Sequence, residues 1–329
     1  MEKQVKKKKK KRCSKVKKKM ISSLLVLFAI LLAVPVVSAQ TSLNNNVPSS
    51  NSDATLTSEE QKKLDERTII LKEYFLNVEM AKAELDKLKE AQSENVGPRA
   101  SLVEIDKKIE VAALRVEELK EKLPVGLEKI QTAKESGNVS ALSSAADYAI
   151  TEIQIFWDST QSKYLAHTAG NFTSTNWKKD RETDPYMTGW RDFGGYDGYS
   201  VYSLHYNINI YNPNFQTIHH ADHTQYTDWT STASTYPDAR GYAWKYQDKG
   251  YQNWPIWMTD WADYNNWRQL GWYFFDFVGG KPSGNASFSA SFGHTWASTT
   301  INSISYPAGF GWSTNSNRWD KGQSKAFTF

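Results

Sequence analysis

Beyond Cys13 the 329-residue chain contains no cysteine. Disulfides, cysteine-based zinc sites and thiol nucleophiles are therefore excluded from the rest of it. It also lacks a G-x-S-x-G elbow, a phosphate-binding glycine loop and an H-E-x-x-H helix, the sequence signs of three large enzyme classes. Between Lys281 and Arg318 there is no acidic or basic side chain at all. No apolar stretch closes the chain, so no C-terminal anchor is expected.

The formal net charge of +4 comes from one end. Residues 1–39 hold twelve Lys/Arg and one acid; of 40 basic and 36 acidic residues, 28 and 35 remain, a net charge of −7. The lysine run precedes an apolar stretch, Ile21 to Val37, with Pro35 near its end and Val37, Ser38 and Ala39 small. That is the layout of a secretory signal peptide cleaved before Gln40. The lysines belong to the leader, so a nucleic-acid partner is not expected. Export without cysteine suggests a bacterial surface or the culture fluid.

Residues 40–56 are polar and read as a disordered linker. Thr57 to Glu60, "TSEE", is a capping box. After it Leu64, Leu71, Val78 and Leu85 recur every seven residues. A second box, Ser101 to Glu104, opens a run in which Leu102, Ile105, Ile109, Ala112, Val116, Leu119 and Leu123 alternate spacings of three and four. Such a seam predicts a coiled coil, and two matched arms about Gly97 and Pro98 predict an antiparallel helical hairpin over 57–137, kinked or restarted at Pro124. A connecting helix is expected over 138–150, capped by Asn138.

From 151 the period changes from helical to alternating, and all thirteen tryptophans lie between Trp157 and Trp319. Runs at 199–211, 271–278, 285–292 and 299–306 alternate as strands do, separated by Gly/Pro/Asn clusters. The expected fold is thus α + β in separate segments: the helical hairpin, then an aromatic-rich, all-β antiparallel sandwich or barrel over 151–329.

Four constellations could carry chemistry. His219, His220, Asp222 and His223 crowd five positions of "FQTIHHADHTQ" and are candidate zinc ligands. Alternation on a strand would send His219 and His223 one way and His220 and Asp222 the other, so a metal-free strand end is expected and zinc is the only cofactor considered. "HHADH" lacks the first histidine of the metallo-β-lactamase signature, where Ile218 stands. Second, Trp254, Trp257, Trp261, Tyr264 and Trp267 recur at spacings of three and four, with Asp260 and Asp263 between them. Flat rings meet the C–H faces of sugars while carboxylates bond their hydroxyls, so these seven residues form the expected ligand site. The number of rings suggests more aromatic surface than one domain hides.

Third, Phe288, Phe292 and Trp296 lie in the uncharged 285–306 stretch, which reads as a neutral hairpin able to enter a bilayer in an oligomeric barrel. Fourth, Asp180, Glu182, Asp184, Asp192 and Asp197 would include an acid/base pair only if two of them converge. The expected function is a secreted, non-enzymatic protein that binds envelope glycan or a surface protein, with the helical arms as spacer or homo-oligomer contact. The alternatives are a membrane-active, pore-forming or bacteriocin-like toxin, and an extracellular metal- or carboxylate-dependent hydrolase.

Overall fold

The computed structural model describes residues 56–94, 99–133, 147–173, 189–220, 223–252, 261–264, 266–295, 299–305, 309–314 and 318–329. The leader 1–39, all of the linker except Leu56, and 138–146 of the expected connecting helix lie outside them. Residues 50–329 form one compact unit.

Helix α1 spans Ser58–Glu94 and α2 spans Arg99–Glu121. The capping box at the start of α1 forms as its spacing predicts: Thr57 N–H donates to Glu60 at 2.8 Å and Glu60 N–H returns to Thr57 Oγ1 at 3.3 Å. The two helices touch through Arg115 and Glu84 at 3.1 Å, Gln92 and Asp106 at 2.5 Å, and the Tyr74 hydroxyl on the Lys120 carbonyl at 3.4 Å. On α2 the seam residues Ala112 and Val116 are buried and Leu102, Ile105, Ile109 and Leu119 half-buried, as is Leu123 beyond its end. Val103, Val111 and Leu114 face outward.

Fourteen strands follow among the described residues. In one sheet the order is β1 (Leu127–Lys129), β2 (Tyr148–Asp158), β3 (Lys163–Phe172), β10 (Arg268–Phe277), β5 (Ile208–Ile218) and β6 (Tyr226–Asp228). In the second it is β14 (Arg318–Thr328), β11 (Asn285–Thr295), β4 (Gly189–Ser203), β8 (Gly241–Gln252) and β7 (Ser234–Asp238), with β9 (Trp261–Tyr264) also on β8. A small pair joins β12 (Ile301–Ser305) to β13 (Gly309–Trp312). Every pairing between named strands is antiparallel.

Strand β10 shows how the layers are built. Its residues alternate between two buried environments, so it reads as a nearly continuous apolar run. Gln269, Gly271, Tyr273 and Phe275 meet the second sheet: Tyr273 donates its hydroxyl to the Val201 carbonyl at 3.2 Å, and Phe275 lies 5.3 Å from Phe288. A Cβ at Gly271 would come within 2.7 Å of the Trp244 ring, so only glycine leaves that indole its place. On the other face Trp272 packs 5.9 Å from Phe75 of α1, and Arg268 reaches Glu79. The first sheet is thus covered twice, by α1 outside and by the second sheet inside.

Several expectations are corrected. Helix α1 is not a projecting arm: Leu64, Leu71, Phe75, Leu76 and Ala83 share one apolar cluster with Phe156, Leu165 and Trp272. A stripe at helical spacing fits a sheet as well as a second helix, and here it packs on the sheet. The second helix ends at Glu121, and Leu127–Lys129 pairs with β2 instead of continuing through Pro124. Residues 148–150 are strand, not helix. The 199–211 run breaks at 204–207, where Ser203 Oγ accepts the Tyr206 N–H at 3.2 Å. The uncharged stretch is no hairpin: β11 runs between β14 and β4, while β12 pairs with β13. Phe288 and Phe292 are buried in the sandwich, Phe292 stacked on Tyr148 at 4.0 Å, so in this fold neither ring faces outward. Trp296 lies outside the described residues.

Two buried groups make the helix–sheet contact sensitive to acid. The His167 ring stacks on Phe75 at 4.1 Å, and burial pulls its pKa from 6.5 down to about 3. Burial works against the Glu79 carboxylate, but Lys82 and Arg268 outweigh it and hold the pKa at about 2 against an ordinary 4.5. In both cases the folded state refuses a proton that the unfolded chain accepts, so stability falls as pH drops. His167 acts from about 6.5 down to 3, and Glu79 from about 4.5 down to 2, each by at most about 1.4 kcal/mol per pH unit. Urea denaturation at pH 7, 5.5 and 4 is expected to show a steady loss, with a flatter limb above pH 4.5 in His167→Phe. Wild-type stability that is constant or rises towards acid would contradict this.

Candidate functional site

Where β3, β10 and β5 lie side by side, the antiparallel register sets Asn171 and Ile218 on either side of Arg268. One residue earlier, Trp267 is held by its backbone on both sides: its N–H donates to the Ile218 carbonyl at 3.1 Å, and its carbonyl accepts the Phe172 N–H at 3.2 Å. The end of α1 crosses above this point. Together they enclose a cleft of about 600 Å³ lined by Asp86, Glu90, Glu94, Asn171, His220 and Trp267, with Lys89, Ser93 and Thr173 on its rim.

The floor is built on a buried charge. The Arg268 side chain is 2 % exposed and donates to Glu79 at 3.0 and 3.3 Å and to Asp86 at 2.6 Å. It thereby fixes one cleft carboxylate from below. His220 meets the Trp267 indole edge-on at 5.1 Å, and its Nε2 stands 3.7 Å from Glu90. With Asp86 held by Arg268, Glu90 and Glu94 against Lys89 leave the cleft mildly acidic, suited to hydroxyl or cationic donors. A larger cleft of about 910 Å³ opens at the start of α1, lined by Gln61, Asp65, Asn209, Tyr211, Asp238 and Tyr242. It contains none of the residues singled out in the sequence. The smaller cleft unites two of those constellations.

Of the expected aromatic site, Trp267 is 6 % exposed, too little for an open stacking face. Asp263, Tyr264 and Trp261 lie on β9, with their side chains outside the described residues; Trp254, Trp257 and Asp260 are wholly outside them. The expected surplus of exposed indole does not appear among the described residues: Trp229, Trp244, Trp267 and Trp272 are buried, and Trp157, Trp312 and Trp319 half-buried. Trp244 packs against Phe215, Trp229 against Tyr246, and Trp272 against Phe75 of α1.

The histidine cluster does not converge. His219 is buried, its Nε2 3.0 Å from Thr227 Oγ1 on β6, whereas His220 turns to α1 and Trp267. His223 is half-buried and Asp222 lies outside the described residues; among those, no three His, Cys, Asp or Glu side chains are grouped to hold a metal. Of the carboxylate cluster, Asp197 is buried, its Oδ2 2.8 Å from His294 Nδ1 and its Oδ1 accepting the Thr295 N–H at 2.8 Å. Asp180, Glu182 and Asp184, and the side chain of Asp192, lie outside the described residues.

Sequence reasoning missed Asp86, Glu90 and Arg268. One signal was present: Arg268 opens a mainly apolar strand, and Glu79 follows Val78 on the buried face of α1. Two charges on surfaces that must be buried call for each other.

The split histidines generate a measurement. Elemental analysis of purified protein is expected to find less than about 0.2 zinc per chain, with an unchanged melting temperature after chelation, because a stable zinc site needs three or four converging ligands. Stoichiometric zinc, lost together with stability in His220→Ala, would contradict the arrangement. No protein-family model and no curated protein matches the chain, so the chemistry of the cleft is read from its own residues.

Proposed function

We propose that the chain is an exported, non-enzymatic binding protein that holds a hydroxyl-rich envelope glycan in the cleft above Trp267. One observation carries the reading: the Trp267 indole, the carboxylates of Asp86, Glu90 and Glu94, and the polar Asn171 and Thr173 line a single concave surface. Sugars need that mixture, acceptors for hydroxyls beside an apolar ring. The run from Trp261 through Asp263 and Tyr264 leads directly into Trp267, which supports a binding face extending beyond the cleft. In this reading the end of α1 forms one wall of the cleft. The outward Val103, Val111 and Leu114 of α2 support a role in spacing or self-association.

The test is retention of the exported chain on peptidoglycan and on neutral polysaccharides. Glu90→Ala, and separately the pair Trp257→Ala and Trp261→Ala, are expected to weaken retention about tenfold, equivalent to about 1.4 kcal/mol. No retention on any glycan, or retention that neither variant alters, would remove the proposal.

A further inference from the structure

We propose that a second site, a cavity enclosed by α1, α2 and strands β1 to β3, binds one small anionic group, a carboxylate or a phosphate. The cavity measures about 70 Å³ and is lined by Tyr74, Lys120, Lys129, Glu152, Gln154 and His167 among others. A water molecule needs about 10–15 Å³ by this measure, so several waters or one polyatomic anion would fill it.

His167 is the first reason. It is 1 % exposed, and neither ring nitrogen has a hydrogen-bond partner. A buried polar group without a partner costs about 1–3 kcal/mol, and the neutral imidazole has an N–H to give. Lys129 is the second and is independent of the first. Among the described residues its ammonium forms no ion pair, although the cavity beside it contains a carboxylate. That carboxylate, Glu152, is taken by Lys82 at 2.5 Å, which also binds Glu79 at 2.6 Å.

Lys120 is paired only at the surface, with Glu117 at 2.9 Å, a contact of small value in water. Burial and the nearby Lys325, Lys120 and Lys82 together push the Lys129 pKa down despite Glu152. Of the charged residues lining the cavity two are lysines, Lys120 and Lys129, and the one carboxylate, Glu152, is already held by Lys82. Tyr74 gives its hydroxyl to the Lys120 carbonyl at 3.4 Å and needs no further acceptor. The Lys129 ammonium and the one N–H of neutral His167 are the unmet donors, and an acceptor carrying negative charge suits both.

An anion there would tie Lys120, at the end of α2, to β1 and β3. Binding should thus stabilise the fold as well as occupy the site. The experiment titrates inorganic phosphate and, separately, sodium acetate into the full chain at constant ionic strength and pH 7. Binding is followed by calorimetry and by thermal melting.

A saturable rise in melting temperature of about 3 °C is expected with at least one of the two. Lys129→Met, a change at an exposed stem that leaves the fold intact, should weaken binding at least tenfold; His167→Phe, which keeps the stack on Phe75, should do the same. If neither anion binds saturably, the cavity holds only water and the proposal fails. If binding is the same in Lys129→Met as in the wild type, the anion is adventitious and the proposal fails equally.

Discussion

The pairing of Arg268 with Glu79 and Asp86 is the contact on which the arrangement depends. A guanidinium at 2 % exposure is tolerable only with its carboxylates in place. Both carboxylates come from α1, so the helix cannot slide or turn on the sheet without stranding the charge. A second pin lies twelve residues earlier: Arg67 donates to Asp158 at 2.7 Å and to the Val125 carbonyl at 2.9 Å, again out of water. The two pins are about 18 Å apart along the helix. Apolar contacts alone would accept several registers; two buried ion pairs accept one. That register puts Asp86 and Glu90 over Trp267 and creates the cleft.

How much was legible in the residues follows from the range of the forces involved. The start of α1, the inward seam of α2 and several strands, β2, β10 and β11 among them, come from neighbours in sequence, through capping, period and turn residues. What covers an apolar stripe is not local information. Leu64, Leu71 and Val78 serve a helix or a sheet equally, and the choice is made by Trp272, His167 and Phe156 far along the chain. The same gap explains the tryptophans. Counting rings against one interior predicted a surplus; among the described tryptophans four are buried and three half-buried, Trp272 under α1. The alternation at Phe288 and Phe292 was read correctly as β structure and wrongly as a hairpin, because strand partners are set by topology.

The cleft was legible only in halves. The residues of the aromatic run and of the histidine cluster were visible as groups, and Trp267 and His220 do meet. Their third partner, α1, lies more than 120 positions away, and only the out-of-place charges of Glu79 and Arg268 pointed to it. The anion cavity follows the same pattern, with one wall from each helix and three from adjacent strands. Both sites sit along α1, so the docking of this helix decides whether either exists.

Amide hydrogen exchange on Arg268→Met tests that dependence most directly. If Arg268 anchors α1, the amides of Glu79–Glu94 should lose about 3–5 kcal/mol of protection, while β4 and β11 in the second sheet keep theirs. Unchanged protection along α1 in the variant would contradict the account at its root.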